Sequence, residues 1–496
     1  MKKYFLLFVF AMLAISCSNK VEIKGKVNHG NPLQRIELIE ASGVATLPII
    51  NMGVNANGDF QGEVSIPKNG MYVVTLGQQM QLVYLKKGQS VELTTGKDAN
   101  PIFNVGGEAK ANNDFLIDAD KAFQNYASKL PMEKIISKKE ADFIKEIEKI
   151  QSNVNSILDK SAEQFKADSD VVNYKKLDIK AKIVGLLDTY EQGHGMITQQ
   201  PNFKTSEDFK TFAKKFVKDQ DKMIREIPVY RDYELRKLND KFQAYMQSRN
   251  TLNTAEQPLI SQAFGDFLRT QKDLSSTEKD YFYSYVIAQS DLNQNNISKY
   301  DQITQLIDRN ISNSAIKNDI KTIQKVLMGQ KANTKANLLV EDKDGKKLNL
   351  GNLKDKGSLV VYYASYSPNL VNMVAPQIKE ITDFYQGSLN YVFVNLDDTK
   401  EQFVKTSTAV WKGIPGLNYY VKGGVNSRDA IRNGIYSFKL PSFIILDKKG
   451  RVIGKPYFNL GDPELVENLN KLSGKKAPEV NQQSMEMPFP SGNPGK

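Results

Sequence analysis

The chain has 496 residues, 40% of them hydrophobic and 25% charged, which is the composition of an ordinary folded protein with room for about three domains. One Cys and two His in the whole chain exclude an intramolecular disulfide and a Cys/His zinc cluster. The net charge of +11 falls to +9 if Lys2 and Lys3 leave with a leader, and no arginine-rich arm or dense basic run focuses that excess on nucleic acid.

Residues 1–17 read MKKYFLLFVFAMLAISC: two lysines, an apolar run from Tyr4 to Ile15, then Ser16 and the only cysteine, Cys17. The pattern is that of a secretory signal, too short and too one-sided for a transmembrane span. It resembles the bacterial lipoprotein signal, in which a lipobox (here Leu13, Ala14, Ile15, Ser16 and Cys17) is cut before the cysteine. The resemblance implies a signal peptide over 1–16, a diacylglycerol on the Cys17 sulfur, and a membrane partner held through that lipid. Ala14 departs from the leucine commoner at its position. Ser18, Asn19 and Lys20 bring no acidic run, so the expected place is the cell envelope, on the periplasmic face of the outer membrane. No later apolar run reaches about 18 residues, so the rest of the chain is expected outside the bilayer.

Residues 17–107 show short strand-like runs, among them Val21 and Ile23, Ile36 and Leu38, Val73 to Leu76, Leu82 to Leu85, and Val91 with Leu93. Turn signals separate them: Asn57-Gly58 reads as a type I′ hairpin and Lys87-Gly88-Gln89 as another turn. The spacing predicts an all-β sandwich or open barrel of about six to eight strands. Through ANGDF and LKKGQSVEL the segment resembles a small β domain that often precedes thioredoxin-like domains in bacterial lipoproteins.

Over 108–333 the periodicity becomes helical. Phe143, Ile147, Ile150, Val154 and Ile157 make one stripe, and Ser137 with Glu140 suggests a capping box ahead of it. Thr205 with Asp208 and Ser275 with Glu278 predict two further helix starts, ahead of Phe209, Phe212 and Phe216 and of Tyr281, Tyr283 and Tyr285. Without a fixed repeat period the expectation is a helical domain, a bundle or array whose aromatic stripes form core.

Residues 335–473 alternate strand and helix: strand 359–363, helix 373–385, strand 391–396, strands 443–446 and 451–453 joined by Asp447 to Gly450, and helix 464–472. The tail, 474–496, rich in Pro, Gln, Ser and Gly, reads as disordered. The predicted class is therefore multidomain α+β: an N-terminal all-β sandwich, a central α-helical domain and a C-terminal α/β domain.

This last region resembles the thioredoxin-like fold, more narrowly the TlpA-like disulfide reductases and their AhpC/TSA-like peroxidase relatives. The match rests on NLLVEDKDGKKLNLGNLKDKG, LVVYYASYSPNL, YVFVNLDD and FKLPSFIILDKKGRVIG. Aligned on the family's nucleophile loop, Tyr366 replaces a tryptophan, Ser367 the attacking cysteine and Leu370 the resolving cysteine, while Pro368 stays. Thiol-disulfide and peroxide chemistry need a thiolate, and neither Ser367 nor Leu370 supplies one. As a hydrolytic nucleophile Ser367 would need a base, yet His29 and His194 lie in other regions, in contexts that read as turns. An exposed serine capping the following helix is the expectation. Pro441 matches the family's cis-proline, so Tyr366, Ser367, Pro368, Leu440 and Pro441 either outline a groove for a peptide or partner strand or merely end a loop.

The remaining motifs are structural in expectation. Asp342 to Gly345 reads as a hairpin turn rather than a calcium loop, Asp397-Asp398 as solvated or helix-capping acids, and Gly423-Gly424 as a flexible loop. No cofactor, metal or catalytic residue is expected. The leading functional reading is an envelope lipoprotein with a redox-inactive thioredoxin-like domain that binds an envelope protein or peptide. Its alternatives are a component of thiol-disulfide or peroxide metabolism that uses a partner's thiols, and an accessory lipoprotein of outer-membrane nutrient uptake.

Overall fold

The computed structural model describes residues 20–28, 34–44, 47–55, 57–96, 101–248, 259–367, 369–427, 429–430, 433–435 and 440–475. Cys17 with its leader, His29, Pro368 and the tail beyond 475 lie outside them. The chain forms two compact units, Met1–Leu327 and Met328–Lys496. No described helix is long and apolar enough to cross a membrane.

The first unit opens with strands β1 (Lys20–Lys26), β2 (Arg35–Glu40), β3 (Ile50–Gly53), β4 (Asp59–Ser65), β5 (Gly70–Leu76), β6 (Gln79–Leu85), β7 (Ser90–Thr95) and β8 (Phe103–Gly107). They pair as two four-stranded sheets, β4-β1-β7-β8 and β3-β2-β5-β6. Alternating side chains such as Val21 and Ile23 of β1 and Ile36 and Leu38 of β2 enter one apolar core with Tyr72, Val91 and Phe103. The turn at Asn57-Gly58 is not the expected type I′ hairpin. The side chain of Asn55 accepts from the N–H groups of Asn57 and Asp59, only Gly58 of the pair is left-handed (φ 84°), and the flanking strands β3 and β4 belong to different sheets. Gly88, at φ 82°, makes the turn expected after β6.

Helices follow in the order α1 (Lys110–Ala127), α2 (Met132–Ile136), α3 (Glu140–Phe165), α4 (Ser169–Ile197), α5 (Glu207–Phe216), α6 (Gln220–Glu226), α7 (Pro228–Ser248), α8 (Ile260–Thr270), α9 (Ser276–Val286), α10 (Tyr300–Asn310) and α11 (Ser314–Met328). Asn113 of α1 lies against edge strand β6: its amide accepts from the Tyr84 N–H and donates to the Tyr84 carbonyl, both at 2.9 Å, as a neighbouring strand would. Gln81 of β6 bonds the backbone of Phe103 in edge strand β8 in the same two-way fashion, at 2.9 and 2.7 Å. Arg231 of α7 fixes the sandwich to the helices by donating to the carbonyls of Ser42 (2.9 Å) and Ala41 (3.1 Å), with the Tyr281 ring 5.2 Å from its guanidinium.

In α3 the buried stripe is Phe143, Ile147, Ile150, Val154 and Leu158, with Ile157 only half-buried, because 3.6 residues per turn carry the face one position on. The capping box expected from Ser137 does not form: Ser137 ends α2, and the Glu140 carboxylate instead accepts from the N–H and hydroxyl of Ser206. Ser206, not Thr205, caps α5. The box of Ser275 and Glu278 at α9 is present in both directions.

His194 is buried inside α4 rather than in a turn, its Nδ1 2.9 Å from the Ile136 carbonyl and its ring against Tyr190 and Phe203. The flanking glycines, which suggested a turn, serve close packing: a Cβ on Gly195 would stand 2.6 Å from the Gln200 carbonyl oxygen, and one on Gly193 3.1 Å from Ile136. Gly185 of the same helix faces open space. Gly185→Ala should therefore stabilise the first unit by about 0.5–1 kcal/mol and Gly195→Ala destabilise it by about 1–3 kcal/mol in urea unfolding. Equal effects of the two changes would refute this packing account.

Burial, with Asp221 adding to it, raises the Glu278 carboxyl above its ordinary range. An acid held up in the folded state is charged there at a penalty, so its contribution to stability improves as pH falls through the raised value toward 4.5. Glu278→Gln keeps the capping box and removes that titration. Its urea midpoint should exceed the parent's at pH above the raised value and converge with it below 4.5, and a gap that widens toward acid would contradict the expectation.

The second unit holds β9 (Leu339–Glu341), β10 (Lys347–Asn349), β11 (Ser358–Tyr363), α12 (Ala375–Phe384), β12 (Asn390–Asn395), α13 (Lys400–Val410), β13 (Leu417–Tyr420), β14 (Ser442–Leu446), β15 (Val452–Tyr457) and α14 (Pro463–Ser473). Its seven-stranded sheet runs β10-β9-β13-β12-β11-β14-β15, with β11, β12 and β13 mutually parallel. Every residue of β11 is buried, as a continuous apolar run in a sheet covered on both faces requires. Helix α13 and strand β13 are additions to the order read from the sequence. The capping box of Thr399 and Gln402 starts α13, and β13 is only four residues long. Asp342 closes the β9–β10 hairpin by accepting from the N–H groups of Asp344 and Lys346 at 2.9 Å, with Gly345 at φ 86°.

Candidate functional site

The register aligns Tyr363 with Asn395, Asn395 with Tyr420, and Tyr362 with Ser442. The loops after β11, β12 and β13 and the segment before β14 therefore share one end of the sheet, the end outside the carboxyl termini of the parallel strands where open α/β sheets place ligands. Residues 364–367, Asp397, Gly423-Gly424 and Leu440-Pro441 all lie there.

Ser367 is neither exposed nor a helix cap. It is 4% exposed, its Oγ accepts from the Ala364 N–H at 2.9 Å, and its own N–H donates to the Ala364 carbonyl at 2.9 Å. The hydroxyl thus closes the turn that leaves β11. Asn369, left-handed at φ 55°, precedes the helix without capping it through its side chain. Leu370 starts a single π-helical turn, Leu370–Val374, and is buried in the apolar core with Val374, Ile378 and Leu465. Ser367 is thus a turn-closing hydroxyl and Leu370 a core leucine. Val371 and Met373 of that turn are 60% and 42% exposed, and Tyr366 is half-buried. Leu440 is buried, Pro441 half-buried, and the bond between them is cis.

Asp397 corrects its sequence reading as a solvated or helix-capping acid. It is 1% exposed; its Oδ1 accepts from the Ser365 N–H and hydroxyl, both at 2.8 Å, and its Oδ2 from the Asn395 amide at 2.8 Å and the Thr406 hydroxyl at 3.0 Å. Four donors occupy a carboxylate that ties the loop after β11 to β12 and α13, so it serves as an acceptor and anchor rather than as a base. A sequence reading could reach Asp397 only through the strand-end position it shares with Asp398, because Ser365 and Thr406 become its partners through tertiary folding. Gly423 and Gly424, at φ 83° and 60°, form a defined turn rather than a flexible loop; a Cβ on Gly424 would meet the Asp397 carbonyl oxygen at 2.6 Å.

Behind the loop, Trp411 stacks on Phe393 with ring centroids 4.1 Å apart and meets Tyr363 edge-on at 5.1 Å. Burial pushes the phenols of Tyr362 and Tyr363 far above their ordinary range, so both stay protonated. Among the described residues no group of three or more His, Cys, Asp or Glu side chains is placed to hold a metal ion. In the first unit a cleft of about 550 Å³ is bordered by Glu191, Met196, Phe203 and Lys204. Bonds from Lys204 and Thr205 hold the Glu191 carboxyl down at about 2.

No family model matches the chain, and no curated protein matches it. Among solved structures, the chain is similar to the C-terminal domain of a provisionally named thiol-disulfide oxidoreductase of Bacteroides thetaiotaomicron, at 21% identity over 29% of this chain and 97% of that one, with a TM-score of 0.25. A thiol-disulfide oxidoreductase of Bacteroides fragilis matches at 17% identity over 28% and 99%, with a TM-score of 0.24. The thioredoxin domain of a thiol-disulfide oxidoreductase of Bacteroides vulgatus matches at 16% identity over 28% and 96%, with a TM-score of 0.23. Each likeness spans under a third of the present chain.

Proposed function

We propose that the protein is a cell-envelope lipoprotein, anchored through Cys17, whose second unit is a redox-inactive thioredoxin-like domain that binds an envelope protein or peptide without reacting with it. The observation that carries the reading is the burial of the Ser367 hydroxyl against Ala364 together with Leu370 in the core, which leaves the loop with a structural fastening where thiol chemistry needs a thiolate. The partly exposed Val371, Met373, Tyr366 and Pro441 give that end of the sheet an apolar, non-reactive rim.

Two measurements test this. The purified chain should leave insulin disulfides intact under reducing turnover conditions, and reduction at a rate typical of a thioredoxin would refute redox inactivity. A photo-reactive residue at Val371 should give a discrete adduct in cells that the same residue at exposed Lys145 does not; matching adduct patterns would refute the rim as the binding surface.

A second reading, service to a partner's thiols, is favoured by the carboxyl-end position of the rim, where an extended chain could lie beside β14. Recovery of a cysteine-bearing reductase as the Val371 adduct would select it over a purely scaffolding role.

A further inference from the structure

Helix α5 of the first unit has one face that its own fold does not fill. Phe209 points inward and is buried, but Phe212 and Phe216, next along the same stripe and 5.8 Å apart between ring centroids, are only half-buried. Lysines surround them. Lys180 of α4 holds its ammonium 4.8 Å from the centre of the Phe216 ring, Lys215 flanks the stripe on α5, and Lys218 follows two residues after Phe216; Lys215 and Lys218 are exposed. Among the described residues none of these three lysines has an ion-pair partner within 4 Å, whereas Lys210 of α5 is paired with Glu207 at 2.7 Å. The nearest acids in sequence are engaged elsewhere: Asp178 pairs with Lys175 and Lys182, Asp219 caps α6 by accepting from the Lys222 N–H, and Asp221 accepts from the hydroxyls of Ser275 and Thr277. Burial, and then the charge of Lys218, lower the Lys180 amine, as expected where ammonium groups gather without a counter-charge.

Uncompensated ammonium groups around half-exposed aromatic rings on a short amphipathic helix match the chemistry of a bilayer surface. Phosphodiester headgroups supply the missing anions, and phenylalanine rings together with lysine stems settle at the level where headgroups meet acyl chains. We propose that the surface formed by Phe212, Phe216 and Lys215 of α5, Lys180 of α4 and Lys218 just past α5 docks on an anionic phospholipid surface. The contact is independent of the Cys17 anchor and would lay the first unit against the membrane.

The test uses the full chain with Cys17→Ser, so that no acyl group is attached, and Phe212→Trp as a local probe; Trp411, buried in the second unit, gives a constant background. With brominated lipids, the new indole should be quenched on phosphatidylglycerol-containing vesicles and not on phosphatidylcholine alone, and raised salt should release it. The leader, with Lys2 and Lys3, itself favours the anionic vesicles, so the readout is the change in the anionic-over-neutral partition ratio between a variant and its parent, which share that leader. Lys180→Gln, Lys215→Gln and Lys218→Gln together, made with Phe212 intact as well, should lower that ratio roughly a hundredfold. Equal quenching on the two lipids, or an unchanged ratio in the triple variant, overturns the proposal.

Discussion

Asp397→Leu is expected to lower the unfolding free energy of the second unit by about 3–5 kcal/mol. The substitution strips the acceptor from the Ser365 N–H and hydroxyl, the Asn395 amide and the Thr406 hydroxyl, at a place 1% exposed where water cannot replace it. The hydroxyls can turn to other acceptors, but the peptide N–H and the amide cannot, and each stranded donor costs about 1–3 kcal/mol. Asp397→Asn should cost less, about 2 kcal/mol, because one oxygen survives while the new amide faces donors. Trp411 is the only tryptophan and stacks in this unit, so its fluorescence in urea reads the transition directly. If both variants unfold within about 0.5 kcal/mol of the parent, the carboxylate is not the anchor described. The asparagine variant, still folded, should also reduce crosslinking from Val371, since the loop after β11 loses its tie to α13.

Arg231→Ala is expected to destabilise the first unit by about 3 kcal/mol, through loss of two charge-assisted bonds to the carbonyls of Ser42 and Ala41 and of the stack on Tyr281. The loss reaches across the unit because the residue stands on α7 while its acceptors follow β2. Arg231→Lys should recover less than half, since an ammonium cannot reach two carbonyls with a planar fork. Far-ultraviolet circular dichroism follows this helical unit, while Trp411 fluorescence should show the second unit unchanged. A loss below about 1 kcal/mol, or full rescue by lysine, would count against the guanidinium as the joint.

The elements that were legible in the sequence are those in which local pattern and tertiary need agree. The buried Leu359–Tyr363 run of β11, the alternating β1 and β2, and the Ser275–Glu278 box all read correctly because each signal is completed within its own element. Errors arose where a local signal was answered from elsewhere in the chain. The glycines around His194 suggested a turn but admit Gln200 and Ile136 to the helix surface, and Ser137 suggested a cap although Glu140 bonds a residue 66 positions away. The candidate site was half legible. The sequence drew attention to Ser367 and Leu370, yet that the hydroxyl turns inward and that Asp397 holds the adjoining Ser365 are facts of three-dimensional packing.

The amides of Asn113 and Gln81 have a consequence for how the protein associates. Each occupies backbone groups of an edge strand that would otherwise template a foreign strand, at Tyr84 on one sheet and Phe103 on the other. At those two positions a foreign strand finds the backbone already bonded, so pairing along either edge is interrupted there, and a client that reaches Tyr84 or Phe103 must be recognised by side chains.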